Sequence, residues 1–260
     1  MKDSLTAIVE ILRDGHSVAF TGAGISTASG IRDYRGPQGL WKIFDPNDFT
    51  IDTFRRSPSE YWAKRIERKK AGFDILGAKP NKAHIALKEL QEMQIVREII
   101  TQNTDGLHQK AGSKQVIELH GNARFCVCPK CSKKYPTSWA DVYAEEHSTP
   151  PLCDGCGISL KPDVVMFGES LDPRNLELAS QASMNCKSMM IIGTTASVYP
   201  ASVYPRIAKR TGAKIIEINA EETELSRDIV DESWIGDCSE SLPLIAERLK
   251  SMGDSVELKY

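Results

Sequence analysis

The sequence predicts an α/β fold: an open parallel sheet with helices on both faces, joined to a second, smaller domain. Short β-branched runs alternate with helical patterns, a glycine-rich turn follows the first run, and two cysteine pairs interrupt the alternation. The candidate strands are "SVAF" at 17–20, "IVREII" at 95–100, "QVIEL" at 115–119, "SMMIIG" at 188–193, "KIIEI" at 214–218 and, more weakly, "SWI" at 233–235.

Helical patterns fill much of the chain between these runs. The N-terminal segment stops at Gly15 and has apolar residues at helical spacing, namely Leu5, Ile8, Val9 and Leu12. The segment 81–93 has a predicted apolar face made of Ile85, Leu87, Leu90 and Met93. Another helix opens with Asp172 as N-cap and Pro173 at its first position. The segments 202–210 and 242–250 are further helix candidates.

Two segments lack the alternation and divide the chain. Residues 36–80 contain no convincing strand, and residues 122–160 are rich in Cys, Pro and Lys. We therefore predict a sheet domain from residues 1–35, 81–121 and 161–260. The helical insertion 36–80 and the cysteine-rich segment 122–160 form the predicted small domain.

Composition limits the classes of function. The formal net charge is −2 over 260 residues, which gives no overall attraction to nucleic acid or to an anionic membrane. The basic cluster at 64–70 is either a solvated helix face or a binding patch, and the solvated face is favoured. No run reaches the ~20 apolar residues that span a bilayer, and no signal peptide is visible. We therefore expect a cytoplasmic location, no membrane partner and no direct nucleic-acid binding.

The cysteines indicate a structural metal. In a reducing compartment, seven cysteines favour metal binding or catalysis over disulfides. "CPKC" and "CDGC" supply four thiolates, which match tetrahedral zinc and leave no open coordination position: Cys128, Cys131, Cys153 and Cys156. Cys126 is a competing ligand that suits the turn less well than Cys128. Cys186 and Cys238 are interpreted as buried, with Cys238 also placed to touch a ligand.

The glycine turn "TGAGISTASGIRDYRG" at 21–36 has the position of a nucleotide-binding loop, after a strand and before a helix. Gly22 and Gly24 would let the backbone approach a pyrophosphate at the helix N-terminus. The third glycine of the dehydrogenase fingerprint is replaced by Thr27, and position 45, where an acidic ribose ligand is expected, lies in the strandless segment. Arg35 could contact phosphate and Tyr34 could cover a planar ring.

Further polar residues follow the other candidate strands, where ligands of parallel sheets bind. Gln102, Asn103 and Asp105 follow one run, although a capped polar turn would explain them equally well. His120 precedes a glycine turn, and its type of side chain suits proton abstraction near neutral pH. Small hydroxyl and amide groups that suit ribose or phosphate come later, at Gly193, Thr194, Thr195 and Asn219.

Together these motifs resemble the sirtuins, the NAD-dependent protein-lysine deacylases. "GAGIS", "SGIRDYRG", "TQNTDGLH", "LHG", both C-x-x-C pairs, "VVMFGE", "GTTASVYPA" and "IEIN" occur in family order, and the resemblance covers about residues 15–240. It implies a Rossmann-like NAD-binding domain, a small zinc-binding domain and an active site in the cleft between them. The implied activity consumes NAD and an acyl-lysine protein and releases nicotinamide, deacylated lysine and O-acyl-ADP-ribose.

The resemblance also implies roles for individual residues. His120 would be the general base, Gln102 and Asn103 would hold ribose and position water, and Asp105 would contact the nicotinamide carboxamide. The remaining implied NAD contacts are Gly22, Ala23, Gly24, Thr27, Tyr34, Arg35, Thr104, Gly193, Thr194, Thr195, Asn219 and Cys238. The acyl-lysine would enter as an extended strand along Val164, Met166, Phe167, Gly168, Glu169 and Val198; from residues alone, "VVMF" reads as a plain buried strand.

Several positions depart from the family pattern. Arg32 and Tyr34 replace Pro and Phe in the family's "GIPDFRG", Thr104 replaces an aliphatic residue, and Ala196 replaces Leu. Sirtuins that favour acidic acyl groups carry Tyr and Arg three residues apart, where this sequence has Arg65 and Arg68, so no strong desuccinylase preference is expected. The alternatives are a mono-ADP-ribosyltransferase and an NAD-sensing scaffold.

Overall fold

A computed structural model gives the fold of residues 2–257. Its strands are β1 (Ser17–Thr21), β2 (Val96–Thr101), β3 (Val116–Glu118), β4 (Gly121–Val127), β5 (Lys134–Pro136), β6 (Lys161–Val164), β7 (Ser188–Ile192), β8 (Lys214–Asn219) and β9 (Glu232–Ile235). Its α-helices are α1 (Lys2–Leu12), α2 (Ile51–Arg56), α3 (Pro58–Lys70), α4 (Lys82–Glu92), α5 (Leu107–Ala111), α6 (Thr137–His147), α7 (Pro173–Asn185), α8 (Val203–Arg210), α9 (Glu224–Asp228) and α10 (Cys238–Glu257). Within the same range, every helix is too short or too polar to cross a bilayer.

The larger sheet is parallel, with the strand order β3-β2-β1-β7-β8-β9. The first strand, β1, pairs with β2 on one side and with β7 on the other. Strands β2 and β3 thus lie on one side of β1, and the later strands β7, β8 and β9 lie on its other side. This reversal is a topological switch point, where ligands of open α/β sheets bind beyond the carboxyl ends of the strands.

Helices cover both faces of this sheet, because successive residues of a strand point to opposite sides. Ala19 of β1 belongs to an apolar cluster formed with α1, α4 and α10. Phe20, the next residue, belongs to a second cluster formed with α7 and α8. Both residues are fully buried. The α/β class predicted from the apolar runs is therefore confirmed.

A smaller sheet has three antiparallel strands in the order β5-β4-β6. Residues from α2, α3 and α6 share an apolar cluster with it, at whose centre Trp62 is 1% exposed. The indole Nε1 of Trp62 donates a hydrogen bond to the carbonyl oxygen of Leu160 at 3.0 Å. Segments far apart in sequence thus share this core. The exact domain limits drawn from the sequence stay a prediction.

The predicted helices are present at the predicted positions, but the predicted buried face of α4 is wrong at one residue. The carboxylate of Asp172 caps α7 by accepting from the backbone N–H of Arg174 at 2.8 Å. On α4, however, Ile85 is 45% exposed, so the predicted buried face is wrong at that residue. The residues that α4 buries are Ala83, His84, Ala86, Leu87 and Leu90. Small alanines lie where the helix packs closely, and they weaken the periodic signal that large apolar residues would give.

The basic cluster at 64–70 lies on α3 and is neutralised by neighbouring acids. Lys64 contacts Asp48 and Glu60, and Lys70 contacts Glu145. Arg68 lies 3.6 Å from Asp48. Two further cations of the helix, Arg65 and Lys69, share the carboxylate of Asp141. The face is therefore solvated only in part: Lys70 is 63% exposed, as the favoured interpretation expected, whereas Arg68 is 12% exposed and lies against the protein.

Replacement of Asp141 should be costly, because its fully buried carboxylate joins α6 to α3. Arg65 Nε and Nη2 donate to its two oxygens at 2.7 and 3.2 Å. In Asp141→Ala we expect the free energy of unfolding to fall by about 3 kcal/mol, because removal of one partner leaves the guanidinium unpaired. Urea unfolding followed by circular dichroism measures the loss.

The matched control is Glu145→Ala on the same helix. Its ion pair with Lys70, at 3.1 Å, is 63% and 42% exposed, so its removal should cost less than about 1 kcal/mol. Equal losses in the two variants would contradict the importance given to burial.

Candidate active site

A cavity of about 850 Å³ lies between the carboxyl edge of the larger sheet and the smaller sheet. The larger sheet contributes Gly22 after β1, Gln102 after β2, Gly193 after β7 and Asn219 at the end of β8. The smaller sheet contributes Val164 at the end of β6. The volume falls within the range of about 300–1,000 Å³ that is usual for ligand pockets.

The cavity brings together the predicted ligand-binding residues with one exception, Asp105. The residues predicted to contact NAD that line it are Gly22, Ala23, Gly24, Thr27, Tyr34, Arg35, Gln102, Asn103, Thr104, His120, Gly193, Thr194, Thr195, Asn219 and Cys238. Those predicted to contact the acyl-lysine that line it are Val164, Met166, Phe167, Gly168, Glu169 and Val198. Their individual roles remain predictions.

The glycine turns after β1 and β7 pack directly against each other. A Cβ atom on Gly22 would lie 2.5 Å from Thr194 Cβ, and one on Gly24 would lie 2.7 Å from Gly193 Cα. The N–H of Gly24 donates to the carbonyl oxygen of Gly193 at 2.8 Å. These glycines are therefore required by the contact between two turns, a different reason from the predicted approach of a pyrophosphate. The helix that was expected after the first turn is a 3₁₀ helix, Ala23–Ser29.

Asn103 lies at the floor of the cavity and is 8% exposed. Its amide Nδ2 donates to the carbonyl oxygen of Gly22 at 3.1 Å and to Ser26 Oγ at 3.2 Å. Ser26 Oγ donates in turn to Asp105 Oδ2 at 2.7 Å, and Asp105 Oδ1 accepts from the N–H of Leu107 at 2.8 Å. Both amide hydrogens of Asn103 are thus used, which leaves Oδ1 as an acceptor, and Asp105 lies one layer behind the lining.

His120 is half-buried at the junction of the two sheets. Its Nδ1 lies 2.9 Å from the carbonyl oxygen of Gln102, which can only accept, so Nδ1 carries the proton. Nε2 is then the ring nitrogen with a free lone pair. Burial lowers the pKa of His120 below its ordinary value of 6.5, although the hydrogen bond to Gln102 opposes the shift. The side chain is therefore held as a neutral imidazole near neutral pH, the form that a general base requires.

The side chain of Asn219 holds the turn after β7. Its Oδ1 accepts from the N–H of Thr194 at 2.8 Å, and its Nδ2 donates to the carbonyl oxygen of Thr194 at 3.1 Å and to Glu217 Oε1 at 2.9 Å. Thr194 Oγ1 accepts from Gln102 Nε2 at 2.9 Å. A chain of hydrogen bonds therefore runs from Glu217 through Asn219, Thr194 and Gln102 to His120.

Glu217 anchors this chain with a fully buried carboxylate. Besides Asn219, it accepts from Thr223 Oγ1 at 2.6 Å and from the hydroxyl of Ser226. Those two hydroxyl oxygens also cap the N-terminus of α9, where each accepts from a backbone N–H. One carboxylate therefore fixes both the turn after β8 and the start of α9.

Sequence reasoning missed an aromatic wall of the cavity. Trp41, Phe49 and Tyr61 line it beside Tyr34 and Phe167. The Trp41 ring centroid lies 5.1 Å from that of Tyr34, 5.3 Å from that of Phe49 and 5.8 Å from that of Phe167. The sequence does give a signal, because the segment 36–80 contains many aromatic residues but no strand pattern. Aromatic residues that do not belong to a predicted strand could have been assigned to a ligand cavity.

The turn after β8 was not predicted to line the cavity; only Asn219, the last residue of β8, was. Ala220, Glu221, Glu222 and Thr223 also line the cavity. The rule that ligands bind beyond strand ends would have found them, had it been applied past Asn219.

The four predicted zinc ligands lie together. The Sγ atoms of Cys128, Cys131, Cys153 and Cys156 are all within 4.8 Å of one another, and those of Cys131 and Cys153 are 3.7 Å apart. A tetrahedral zinc with Zn–S bonds of roughly 2.3 Å needs sulfurs about 3.8 Å apart, so the arrangement fits the ion. Four thiolates complete the coordination shell, and the metal would be structural.

Cys126 and Cys238 lie outside the four-sulfur group and in different surroundings. Cys126, the competing candidate, is fully buried with its Sγ 3.4 Å from Thr137 Oγ1, outside the four-sulfur group. Burial raises the pKa of Cys126 to about 11, as expected for an inert thiol. Cys238 is buried and also borders the cavity, with its Sγ 3.8 Å from the carbonyl oxygen of Gly24.

Comparison with protein families gives a match to the Sir2 family over residues 22–200. A protein of Sulfurisphaera tokodaii named "NAD-dependent protein deacetylase" is 44% identical over 243 residues, which cover 93% of this chain and 94% of that protein. A protein of Archaeoglobus fulgidus named "NAD-dependent protein deacylase 2" is 42% identical over 97% of this chain and 98% of its own length.

Solved structures give the same result. A chain described under "Structural Basis for the Mechanism and Regulation of Sir2 Enzymes" has a TM-score of 0.86 and 42% identity, and the match covers 97% of this chain and 100% of that one. A chain described as "Structure of Sir2Tm bound to a propionylated peptide" has a TM-score of 0.82 and 37% identity, covering 96% and 98%. A chain described as "Sir2-p53 peptide-NAD+" has a TM-score of 0.83 and 38% identity, covering 96% and 99%.

The zinc ligands can be distinguished from Cys126 by substitution. In Cys153→Ser we expect loss of stoichiometric zinc, because the serine hydroxyl is a poor replacement for a thiolate ligand. In the control Cys126→Ala, zinc should be retained. Inductively coupled plasma mass spectrometry of gel-filtered protein measures the metal. Zinc loss in Cys126→Ala with retention in Cys153→Ser would contradict the ligand set.

Proposed function

The chain belongs to the Sir2 family, and on that premise we propose that it removes acyl groups from protein lysines with consumption of NAD, releasing nicotinamide and O-acyl-ADP-ribose. The observation that carries the proposal is the fixed tautomer of His120 inside the cavity, beside Gln102, Asn103 and the two glycine turns. In such a reaction NAD supplies an electrophilic ribose carbon with nicotinamide as its leaving group. The protein must therefore hold the ribose and remove a proton from a hydroxyl group.

Proton removal is assigned to Nε2 of His120. Since Nδ1 donates to the carbonyl oxygen of Gln102, the ring cannot rotate without loss of that bond, and Nε2 remains the basic atom. Asn103 Oδ1 and Gln102 Oε1 are assigned as acceptors for ribose hydroxyls or water, because the amide hydrogens described above are donated within the protein. The carboxamide contact of Asp105 stays a prediction; its observed partners make it a support for Ser26 and Asn103.

The acyl-lysine is assigned to the side of the cavity formed by the smaller sheet. Met166 and Phe167 lie there with Trp41 and Phe49, which would give the acyl chain an apolar wall. The peptide backbone would add as a strand between residues 168–170 and 197–199. Structures of relatives described as bound to a propionylated peptide and to a p53 peptide with NAD support a peptide substrate.

The acyl preference is assigned to neutral groups. Arg65 is bonded to Asp141, and the Arg68 guanidinium lies 3.6 Å from Asp48 and 4.5 Å from the ring centroid of Phe49. Both cations therefore have partners in the protein. This pairing supports the prediction that a succinyl group is not preferred.

The paired basic face of α3 also supports a protein substrate in preference to nucleic acid, since its cations already contact acids.

We propose a cytoplasmic location.

The function is tested by incubating the protein with NAD and matched acetyl-, myristoyl- and succinyl-lysine peptides. Mass spectrometry should detect free lysine peptide and O-acyl-ADP-ribose in equal amounts with nicotinamide, and the succinyl peptide should be the poorest of the three. In His120→Ala, kcat should fall by at least about a hundredfold, the contribution typical of a general base.

The control is His147→Ala, at the exposed end of α6, which should retain full activity. Release of nicotinamide with ADP-ribose attached to protein, and no deacylated lysine, would instead indicate the ADP-ribosyltransferase. No nicotinamide release at all would indicate a scaffold.

The pH dependence follows from the burial of His120. The neutral imidazole is the active form, so kcat/KM should rise with pH through the pKa of His120 and then level off. Because burial lowers that pKa, the acid limb should lie below pH 6.5. A pH series of kcat/KM for the acetyl peptide measures the limb, and a midpoint well above 6.5 would contradict the assignment.

A further inference from the structure

We propose that the ion pair between the buried Lys161 and the half-buried Glu169 positions the acyl-lysine-binding turn, here called the substrate turn and defined as residues 164–169. The inference rests on the proposed function, because it assigns a role in substrate binding. Glu169 was expected to contact substrate, and Lys161 was not singled out from the sequence. The geometry makes Glu169 a positioning residue that holds the turn directly at Met166 and through Lys161.

Lys161 is 8% exposed, which is unusual for lysine, and all three of its ammonium hydrogens have acceptors. Nζ donates to the carbonyl oxygens of Pro162 and Val164 at 3.1 and 2.6 Å, and to Glu169 Oε2 at 2.8 Å. Two of these acceptors belong to β6, and the third comes from the far end of the substrate turn. The ammonium group therefore joins the start of the turn to its end.

Glu169 completes the connection from the other side. Its Oε2, which binds Lys161, also accepts from the backbone N–H of Met166 at 2.8 Å. The N–H of Glu169 donates to the carbonyl oxygen of Met166 at 3.0 Å. One carboxylate and one backbone bond therefore set the path of the chain between these residues. Gly168, inside the turn, has a φ of +86°, which an L side chain rarely adopts.

The substrate turn reaches both halves of the proposed site. The N–H of Val165 donates to the carbonyl oxygen of His120 at 2.8 Å, and the N–H of Phe167 donates to that of Phe49 at 3.0 Å. Every residue from Val164 to Glu169 lines the cavity. A shift of the turn would therefore move the apolar wall and one edge of the predicted peptide site, whereas the glycine turns that face NAD belong to the larger sheet.

Energetics also favour a positioning role. An ion pair with a buried ammonium group often adds little net stability, because that ion loses its hydration, whereas the pair favours the one arrangement in which every ammonium hydrogen has an acceptor. Here that arrangement is the conformation of the substrate turn. A methionine at position 161 could fill the same space and leave two carbonyl oxygens and a carboxylate without the ammonium group.

The test compares Lys161→Met and Glu169→Gln with the control Lys134→Met. Lys134 forms an ion pair with Asp163 at 2.6 Å in the same sheet, but it is 60% exposed. We expect KM for the acetyl peptide to rise about tenfold to a hundredfold in both test variants, since small displacements of a binding element have effects of that size. KM for NAD and the Kd for ADP-ribose, measured by calorimetry, should stay within about twofold of wild type.

The control variant Lys134→Met should match wild type in the KM values for peptide and NAD and in the Kd for ADP-ribose. Lys161→Arg should have a peptide KM between those of wild type and Lys161→Met. If wild type deacylates the peptide, but the peptide KM is unchanged in folded Lys161→Met and Glu169→Gln, the inference about the ion pair is wrong. The proposed function would stand in that case. A parallel rise in the KM values for peptide and NAD would overturn the inference too, since it would indicate general loss of structure. If Lys161→Met fails to fold, Glu169→Gln, which keeps the shape of the side chain, decides. A wild-type protein that does not deacylate would overturn the proposed function instead.

Discussion

The contact between the turns after β1 and β7 is the constraint on which the active-site cavity depends. Because a side chain at Gly22 or Gly24 would overlap Thr194 or Gly193, the two turns approach more closely than any other residues allow. That approach places Asn103 against Gly22 and Thr194 against Gln102. The chemistry of the site thus begins with backbone contact at the switch point of the sheet, before any ligand is considered.

Several polar residues at the strand ends serve the protein itself. Asn219 donates its amide hydrogens to the carbonyl oxygen of Thr194 and to Glu217, and the backbone carbonyl oxygen of Gln102 accepts from His120. Since each hydrogen bond uses one donor and one acceptor, the atoms left over define what a ligand can meet: acceptors at Asn103 and Gln102, and a basic nitrogen at His120. The ion pair between Lys161 and Glu169 has the corresponding role on the smaller sheet.

The sequence predicts those features that depend on residue type and local spacing. The parallel strands, the cap at Asp172 and the four zinc ligands all follow from short patterns, and the structure contains each of them. It does not predict features that depend on contacts between distant segments. Trp41 joins the cavity only because a strandless segment folds over the sheet, and Lys161 is buried only because Glu169 returns to meet it. Asp105 shows the same limit, since its partner Ser26 lies 79 residues away.

The central position of β1 has a consequence for synthesis on the ribosome. One edge of β1 pairs with β2, which ends at residue 101, and the other edge pairs with β7, which begins at residue 188. During translation the second edge of this wholly buried strand therefore stays unpaired until a long stretch of chain, which includes the entire smaller sheet, has been made. At about 5–20 residues per second, the interval between completion of β2 and the start of β7 is roughly 4–17 seconds. An unpaired strand edge attracts other strands over that interval, so the nascent chain is a candidate for chaperone binding until β7 emerges.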